Sequence, residues 1–444
     1  MAAMPSLSEL ARIPKQADVP VLAALKSEAQ AALDGGLDWP GPKAAAWRNT
    51  RLTALGEHAW QTLDQAEIST PSPAELVLPE LPLGHHRLVM VDGRPAWGLC
   101  QLPLAESGTY VADLCEGLSV RPELVACVDA FGLRQQDPFA ALNTSRAHHG
   151  ALVHVTPKGT PGAPLEILFV TTGRHAQTLL QPRVLVVMEP HAEADIVETH
   201  LGLSDALSWT NAVTDLHVGA GSNLRYAVHQ EEGPGTHHLA TVAAKVHRDG
   251  ALNLLTCDRG SQLGRRQVQV ALAEPGAQAT LTHVVLGRRQ QHLDTQAVVR
   301  HLAPHTQCRQ NFRAVLDGHS TGIFNGMIDI VPQAQKISAQ QMSRSLILAP
   351  GAQAVLKPQM VILADDVKCA HGATIGQLDE DAYFYLLSRG IDGPTAKQML
   401  TFAFLAAALT DLPTFLRQPL MDHVCAWLGI DKAITEPLQG PLLS

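Results

Sequence analysis

The sequence predicts a mainly β protein built on a β-solenoid, with helical segments at its two ends. From about residue 151 to 359, short runs rich in Val, Leu and Ile recur between small turns, most of them about 26 to 30 residues apart, the length of one solenoid repeat. Apolar and polar residues alternate within the runs, most clearly in Gln267–Leu272, as in strands with one buried face. No helical pattern separates the runs, which excludes doubly wound and barrel α/β folds.

Composition agrees with a core made of repeated layers. Aromatic residues make up only 4% of the chain, so small and branched aliphatic side chains must fill the interior. Each coil of a solenoid buries its apolar face only against its neighbours. The turns that set the repeat lie at residues 189–191, 219–221, 249–250, 275–276, 304–305, 331–332 and 350–351.

Helices are predicted on both sides of this repeat. Val21–Leu33 carries a helical pattern, and Asp137–Leu142 predicts a helical turn. A C-terminal helix is expected to begin at Asp379, followed by helices within Pro394–Leu409 and Thr414–Leu428. We therefore divide the chain into an N-terminal helical and mixed region (1–143), a β-helix core (144–376) and a C-terminal helical domain (377–444).

Bulk properties limit the function. The formal net charge of −9 argues against a nucleic-acid partner, which needs a basic surface. Met1–Pro5 opens without an export signal, and the longest apolar stretch, Met399–Leu409, is too short to cross a bilayer. Seven cysteines without paired spacing suit a reducing compartment. We expect a cytoplasmic protein with no membrane partner.

Cys369 and His371 are the candidate metal ligands. On a strand their side chains leave the same face, and thiolate and imidazole both bind iron, copper or zinc. Lys368 is expected to favour the thiolate. The residues alone leave open a buried cysteine beside a hydrogen-bonded histidine. They also leave open whether the histidines between His283 and His305 are functional or form an internal polar ladder.

Longer motifs show a family resemblance. The chain resembles the SufB/SufD family, the paired scaffold proteins of the Suf system for iron–sulfur cluster assembly, and its Trp47-Arg48-Asn49-Thr50 motif and modest length resemble the SufD branch more than the SufB branch. Ala370 stands where Ser is common in the family, and Ile337-Ser338 replaces Thr-Asp. The resemblance rests on residues 46–50, 139–143, 292–294, 301, 324–326, 334–336, 357–359, 364–374 and 386–391.

The resemblance implies a right-handed parallel β-helix core and a non-catalytic scaffold subunit. It implies pairing with a SufB-like subunit, docking of a SufC-type ABC ATPase on the C-terminal helices, and a transient iron–sulfur cluster at the subunit interface. His371 would be a cluster ligand and Cys369 an auxiliary one. No phosphate loop is present in the sequence, so no nucleotide site of its own is expected. A homodimer of the isolated chain stays open.

Two alternatives remain from the sequence. One is a polysaccharide-acting β-helix enzyme, for which Asp365-Asp366 and Glu231-Glu232 are the available carboxylate pairs. The other is a SufB-like main scaffold, which the motifs above disfavour.

Overall fold

The computed structural model describes residues 20–41, 44–63, 76, 78–82, 84–104, 107–175, 177–409 and 412–430. The sequence expectation for Met1–Pro5 lies outside these residues. The described helices are α1 (Ala23–Asp34), α2 (Thr53–Gly56), α3 (Leu114–Val120), α4 (Pro138–Arg146), α5 (Glu380–Ser388), α6 (Gly393–Ala406) and α7 (Thr414–Leu428).

Strands dominate the middle of the chain. They are β1 (His86–Val91), β2 (Arg94–Pro95), β3 (Thr109–Asp113), β4 (Gly150–Val155), β5 (Leu165–Thr171), β6 (Thr178–Leu180), β7 (Arg183–Met188), β8 (Glu193–Gly202), β9 (Ser208–Val218), β10 (Asn223–Glu231), β11 (Thr236–Val246), β12 (Ala251–Asp258), β13 (Leu263–Leu272), β14 (Gln278–Gly287), β15 (His292–His301), β16 (Gln307–Leu316), β17 (Thr321–Ile330), β18 (Ile337–Ile347), β19 (Gln353–Ile362) and β20 (Val367–Gly376).

The strands form two sheets that the chain visits alternately. From β8 onward, even-numbered strands stack in one sheet and odd-numbered strands in the other, and every pairing there is parallel. The predicted β-solenoid with helices at both ends of the chain is therefore confirmed. Its first coils are completed by β1 and β3, which lie before residue 144.

Alternation along each strand separates the interior from the outer faces. In β13, Val268, Val270 and Leu272 join the core between the two sheets, while Gln267 and Gln269 are only partly buried on the outer face. The turns are tight because consecutive coils nearly touch. A Cβ at Gly276 would lie 2.0 Å from Oδ1 of Asp249 in the previous coil, and Gly276 has a φ of +78°, so glycine alone fits without strain there.

The helices cover the outer faces of the sheets. Residues of α1 and α4 share an apolar cluster with Trp60, Trp209 of β9 and Leu239 of β11, on the odd sheet. Helices α6 and α7 pack on the even sheet through Phe402, Leu405, Leu420 and Val424, against small and branched side chains of β10 to β18. The apolar side chains of α6 and α7 are thus largely covered by the chain itself.

One buried ion pair fastens the N-terminal segment to the odd sheet. Asp294 of β15 accepts hydrogen bonds from Arg265 and, at 2.5 Å, from the hydroxyl of Thr50. The Arg265 guanidinium also lies 3.8 Å from the ring centre of Trp47 and donates to the backbone of Ala46. Two motifs distant in sequence, around Trp47 and Asp294, therefore meet at one contact.

We expect Asp294→Ala to lower the free energy of unfolding by about 3–5 kcal/mol, because it leaves the Arg265 charge buried and unpaired. Urea unfolding followed by circular dichroism measures this. The control is Asp329→Ala on the next strand, whose pair with Arg300 is long (4.0 Å) and partly exposed; it should cost less than about 1 kcal/mol. Equal losses in the two variants would contradict the assignment.

Candidate functional site at the open end of the solenoid

The last coil, formed by β19 and β20, is open on one side. β20 pairs with β18, β19 pairs with β17, and no other described strand pairs with either of them. Their outer edges therefore present main-chain N–H and C=O groups that an additional strand can pair with. We call this coil the open end.

Cys369 and His371 lie on β20, on the same face, as the sequence predicts. Their partners in the parallel register are Ala339 and Gln341 of β18, both of which are buried inside the stack. The two candidate ligands therefore continue an inward-facing column of the solenoid at the point where the stack ends. Side chains at the equivalent positions of β18 are buried, whereas Cys369 is partly exposed and His371 is exposed.

Cys369 is a half-buried thiol. It packs against Ile337, Ala339 and Ala364, and burial raises its pKa, an effect that a hydrogen bond with the backbone of Ala339 partly offsets. The expectation that Lys368 favours the thiolate is wrong, because strand alternation turns Lys368 to the opposite, exposed face.

His371 is the more accessible of the two. Its side chain is exposed and makes no hydrogen bond or ion pair with another described residue. The amide of Gln341, directly across the ladder, donates to Gln310, which leaves the buried Oε1 of Gln341 without a partner among the described residues. The parallel register places Gln341 beside His371 on the neighbouring strand, about 4.8 Å away along the ladder.

Gly326 makes room for Gln341. A Cβ at position 326 would lie 2.2 Å from Nε2 of Gln341, so any larger residue there would displace the amide. Gly326 of the Phe324-Asn325-Gly326 motif thus lies against Gln341 from the opposite sheet. Asn325 itself faces outward and links Gln296 to Gln359 by hydrogen bonds of 2.8 and 2.5 Å.

Exposed apolar side chains surround the open end. Leu363 is 61% exposed and Ile375 is 50% exposed, and Val361 and Ile362 at the end of β19 are also exposed. This rim is not among the sequence predictions, although the uninterrupted apolar run Val361–Ala364 is a visible signal for it. Apolar residues gathered at an unpaired edge are typical of a protein–protein contact.

Comparison with known proteins decides the family to which the chain belongs. The family model for the SufBD core domain of SUF system FeS cluster assembly matches residues 169–404, which is more than half of the chain. The chain belongs to the SufBD family. This confirms the resemblance and assigns the chain to a family of iron–sulfur cluster assembly proteins.

Individual SufBD relatives match over most of their length. A SufBD family protein of Synechocystis is 26% identical over 87% of both chains. The SufD protein of Escherichia coli is 27% identical over 84% of this chain and 85% of its own. The SufB protein of Bacillus subtilis is 25% identical over 62% of this chain and 59% of its own.

The other histidines considered from sequence do not join His371. His283 and His301 are fully buried and each bonds a threonine hydroxyl, Thr256 at 2.9 Å and Thr306 at 2.7 Å. Burial lowers the pKa of both to about 4, so they are neutral internal groups. His292 lies 3.0 Å from the Thr50 hydroxyl. Of the two interpretations that the sequence leaves open, an internal polar ladder is the one that fits His283 and His301.

The two carboxylate pairs named in the sequence lie in different surroundings. Asp365 and Asp366 are exposed in the turn between β19 and β20. Glu231 pairs with Arg259, whereas Glu232 is buried and lies 2.6 Å from Nδ1 of His238. Among the described residues, no helix has the length and apolarity to span a membrane.

We expect Cys369 to react with iodoacetamide slowly at pH 7, because its raised pKa keeps the thiolate scarce. The rate should rise about tenfold per pH unit until the raised pKa is passed, since only the thiolate reacts. Peptide mapping by mass spectrometry follows the modification, and Cys369→Ala identifies its peptide. A fast rate that does not change between pH 6 and 9 would show a stabilised thiolate instead.

Proposed function

We propose that this SufBD protein is a non-catalytic scaffold subunit of the SufD type. It pairs with a SufB-like subunit at the open end, carries a SufC-type ATPase on its C-terminal helices, and lends His371 to a nascent iron–sulfur cluster. The observation that carries the proposal is an exposed imidazole on an unpaired strand edge, within an apolar rim. The cluster is cargo of the complex, which forms it and passes it on.

The open end suits a partner of the same architecture. A second solenoid ending in unpaired strands can pair with β19 and β20 edge to edge and cover Leu363 and Ile375, which satisfies main-chain groups and buries apolar surface together. A SufB-like subunit is such a partner, and its presence among the relatives of this chain supports the choice. In isolation the same edge would serve a homodimer.

His371 is the stronger ligand candidate of the pair. Neutral imidazole binds iron through a ring nitrogen, and a hydrogen bond to its other nitrogen fixes the ring. Gln341 supplies an acceptor for that bond. Cys369 must first lose a proton that burial holds on it, so it is the auxiliary ligand. An imidazole holds a cluster less firmly than a thiolate does, which suits a site that releases its product.

The free surface of the C-terminal domain suits the ATPase. Helices α6 and α7 are committed to the even sheet, whereas α5 has no buried residue and exposes Phe384 (71%) and Tyr385 (55%). Two aromatic side chains in water on one short helix favour a contact with another protein. Nucleotide hydrolysis is then supplied by the docked ATPase.

We expect His371→Ala to lower the cluster yield of the assembled complex by about tenfold or more, since even the loss of a ligand's outer partner costs ~10–100-fold in metal affinity. Cys369→Ala should have a smaller effect. Iron and sulfide analysis with visible absorption measures the yield, and gel filtration checks that the complex is intact. His371→Cys should restore the cluster, and His305→Asn, in an exposed turn, is the control. An unchanged yield for His371→Ala would remove His371 from the ligand set.

We expect Phe384→Asp to abolish capture of the ATPase without affecting capture of the SufB-like subunit, because it puts a charge in the apolar contact on α5. Leu363→Asp should do the reverse. Affinity co-purification of the three proteins measures both. Point variants are preferable to truncation before Asp379, which would also uncover the outer face of the even sheet. If both variants lost both partners, a folding defect would explain the result better than two separate contacts.

A further inference from the structure

A second set of metal-ligating side chains lies between β10 and α7, away from the open end. His229 and Glu231 are two residues apart on β10 and face the helix, and His423 on α7 lies against them. One ligand atom from each of the three residues lies within 4.8 Å of the others. The set therefore joins two elements that are distant in sequence.

His423 occupies the centre of this set. Its Nε2 lies 3.0 Å from Nδ1 of His229, and its Nδ1 lies 2.9 Å from Oε1 of Glu231. Ligands of a tetrahedral zinc ion bind at about 2.0–2.2 Å and so lie roughly 3.3 Å from one another. Small side-chain movements and a turn of the His423 ring would bring the three atoms around one ion.

Two buried polar atoms of the set are poorly satisfied. His229 is 3% exposed, and its Nε2 has no hydrogen-bond partner among the described residues. The buried Oε1 of Glu231 has only the 2.9 Å approach of His423 Nδ1. Buried polar atoms without partners are rare and call for an explanation.

The surroundings are compatible with a cation. Arg259 donates to Oε2 of Glu231, so this carboxylate oxygen is held and Oε1 is left facing His423. Ligating carboxylates are commonly hydrogen-bonded through their second oxygen in this way. The Arg259 charge opposes the ion, since its Nη2 also lies 3.4 Å from Nδ1 of His423, and the Glu231 carboxylate supplies the opposite charge beside both.

We propose that His229, Glu231 and His423 form a binding site for one divalent first-row transition metal ion, such as Zn²⁺ or Fe²⁺. Two imidazole nitrogens and one carboxylate oxygen are the donors of catalytic zinc sites and of non-haem iron sites. In this position the ion fastens α7 to the even sheet. The proposal does not depend on the cluster-assembly function or on His371.

The test uses the full-length chain after removal of metals with a chelator. Co²⁺ is titrated and followed by visible absorption, and Zn²⁺ by calorimetry, both in the His371→Ala/Cys369→Ala background so that the open end is not counted. We expect the chain to bind one equivalent of metal. His423→Ala or Glu231→Gln should each weaken binding by more than about 100-fold, because loss of a hydrogen-bonding partner of a ligand alone costs ~10–100-fold in metal affinity. His247→Ala is the matched control, because His247 and Glu274 form a 3.0 Å pair on the surface.

Hydrogen exchange supplies a second readout, since metal at this site ties down one particular helix. Zn²⁺ should slow exchange of the α7 amides and leave α5 unchanged, and His423→Ala should abolish this protection while circular dichroism stays native. Retention of one-equivalent binding in both His423→Ala and Glu231→Gln would overturn the proposal. So would a wild-type chain that binds no metal, or one in which α7 exchange does not respond.

Discussion

Each inner coil of the solenoid is stabilised by the coil before it and the coil after it. The last coil has only one neighbouring coil. Parallel strands satisfy their main-chain groups only across both edges, and each inward side chain is buried only when another coil covers it. At β19 and β20 both conditions fail on one side. The unpaired edge, the exposed rim around Leu363 and the accessible His371 are all consequences of this one asymmetry.

The interior shows what the stack does to polar side chains once both neighbours are present. Glu198 accepts from Tyr226 at 2.6 Å and lies 2.7 Å from His200, while Glu232 lies 2.6 Å from His238, all inside the solenoid. Burial opposes the charge of Glu232, but His238 and its other partners lower its pKa to about 2. Such groups are fully enclosed and hydrogen-bonded, which makes them structural. At the open end, by contrast, the exposed imidazole of His371 makes no hydrogen bond with another described residue.

The sequence predicts the solenoid well because the regular spacing of the turns gives the length of the repeat. A residue such as Gly276 is required by the close approach of two coils, so its spacing is visible without a structure. The positions of α6 and α7 could not be predicted, because an apolar helix face does not indicate which surface it covers. The reactivity of Cys369 was misjudged for a local reason: Lys368 is adjacent in sequence, yet on a strand an adjacent residue points the other way. Gln341 was also missed, since only the register of β18 and β20 places it across from His371.

Two pairs of ligand-type residues with the same spacing differ in which elements pack against them. Cys369 and His371 on β20, and His229 and Glu231 on β10, each present two ligand types on one strand face. Two ligands hold a metal weakly, and what lies opposite determines whether a third is available. On β10 the chain itself provides it, because α7 packs there and brings His423. On β20 the described residues bring no third His, Cys, Asp or Glu beside Cys369 and His371, and under the proposed function a second chain would supply further ligands. If both proposals hold, the same strand geometry serves a self-contained ion site in the middle of the stack and a site shared with a partner at its end.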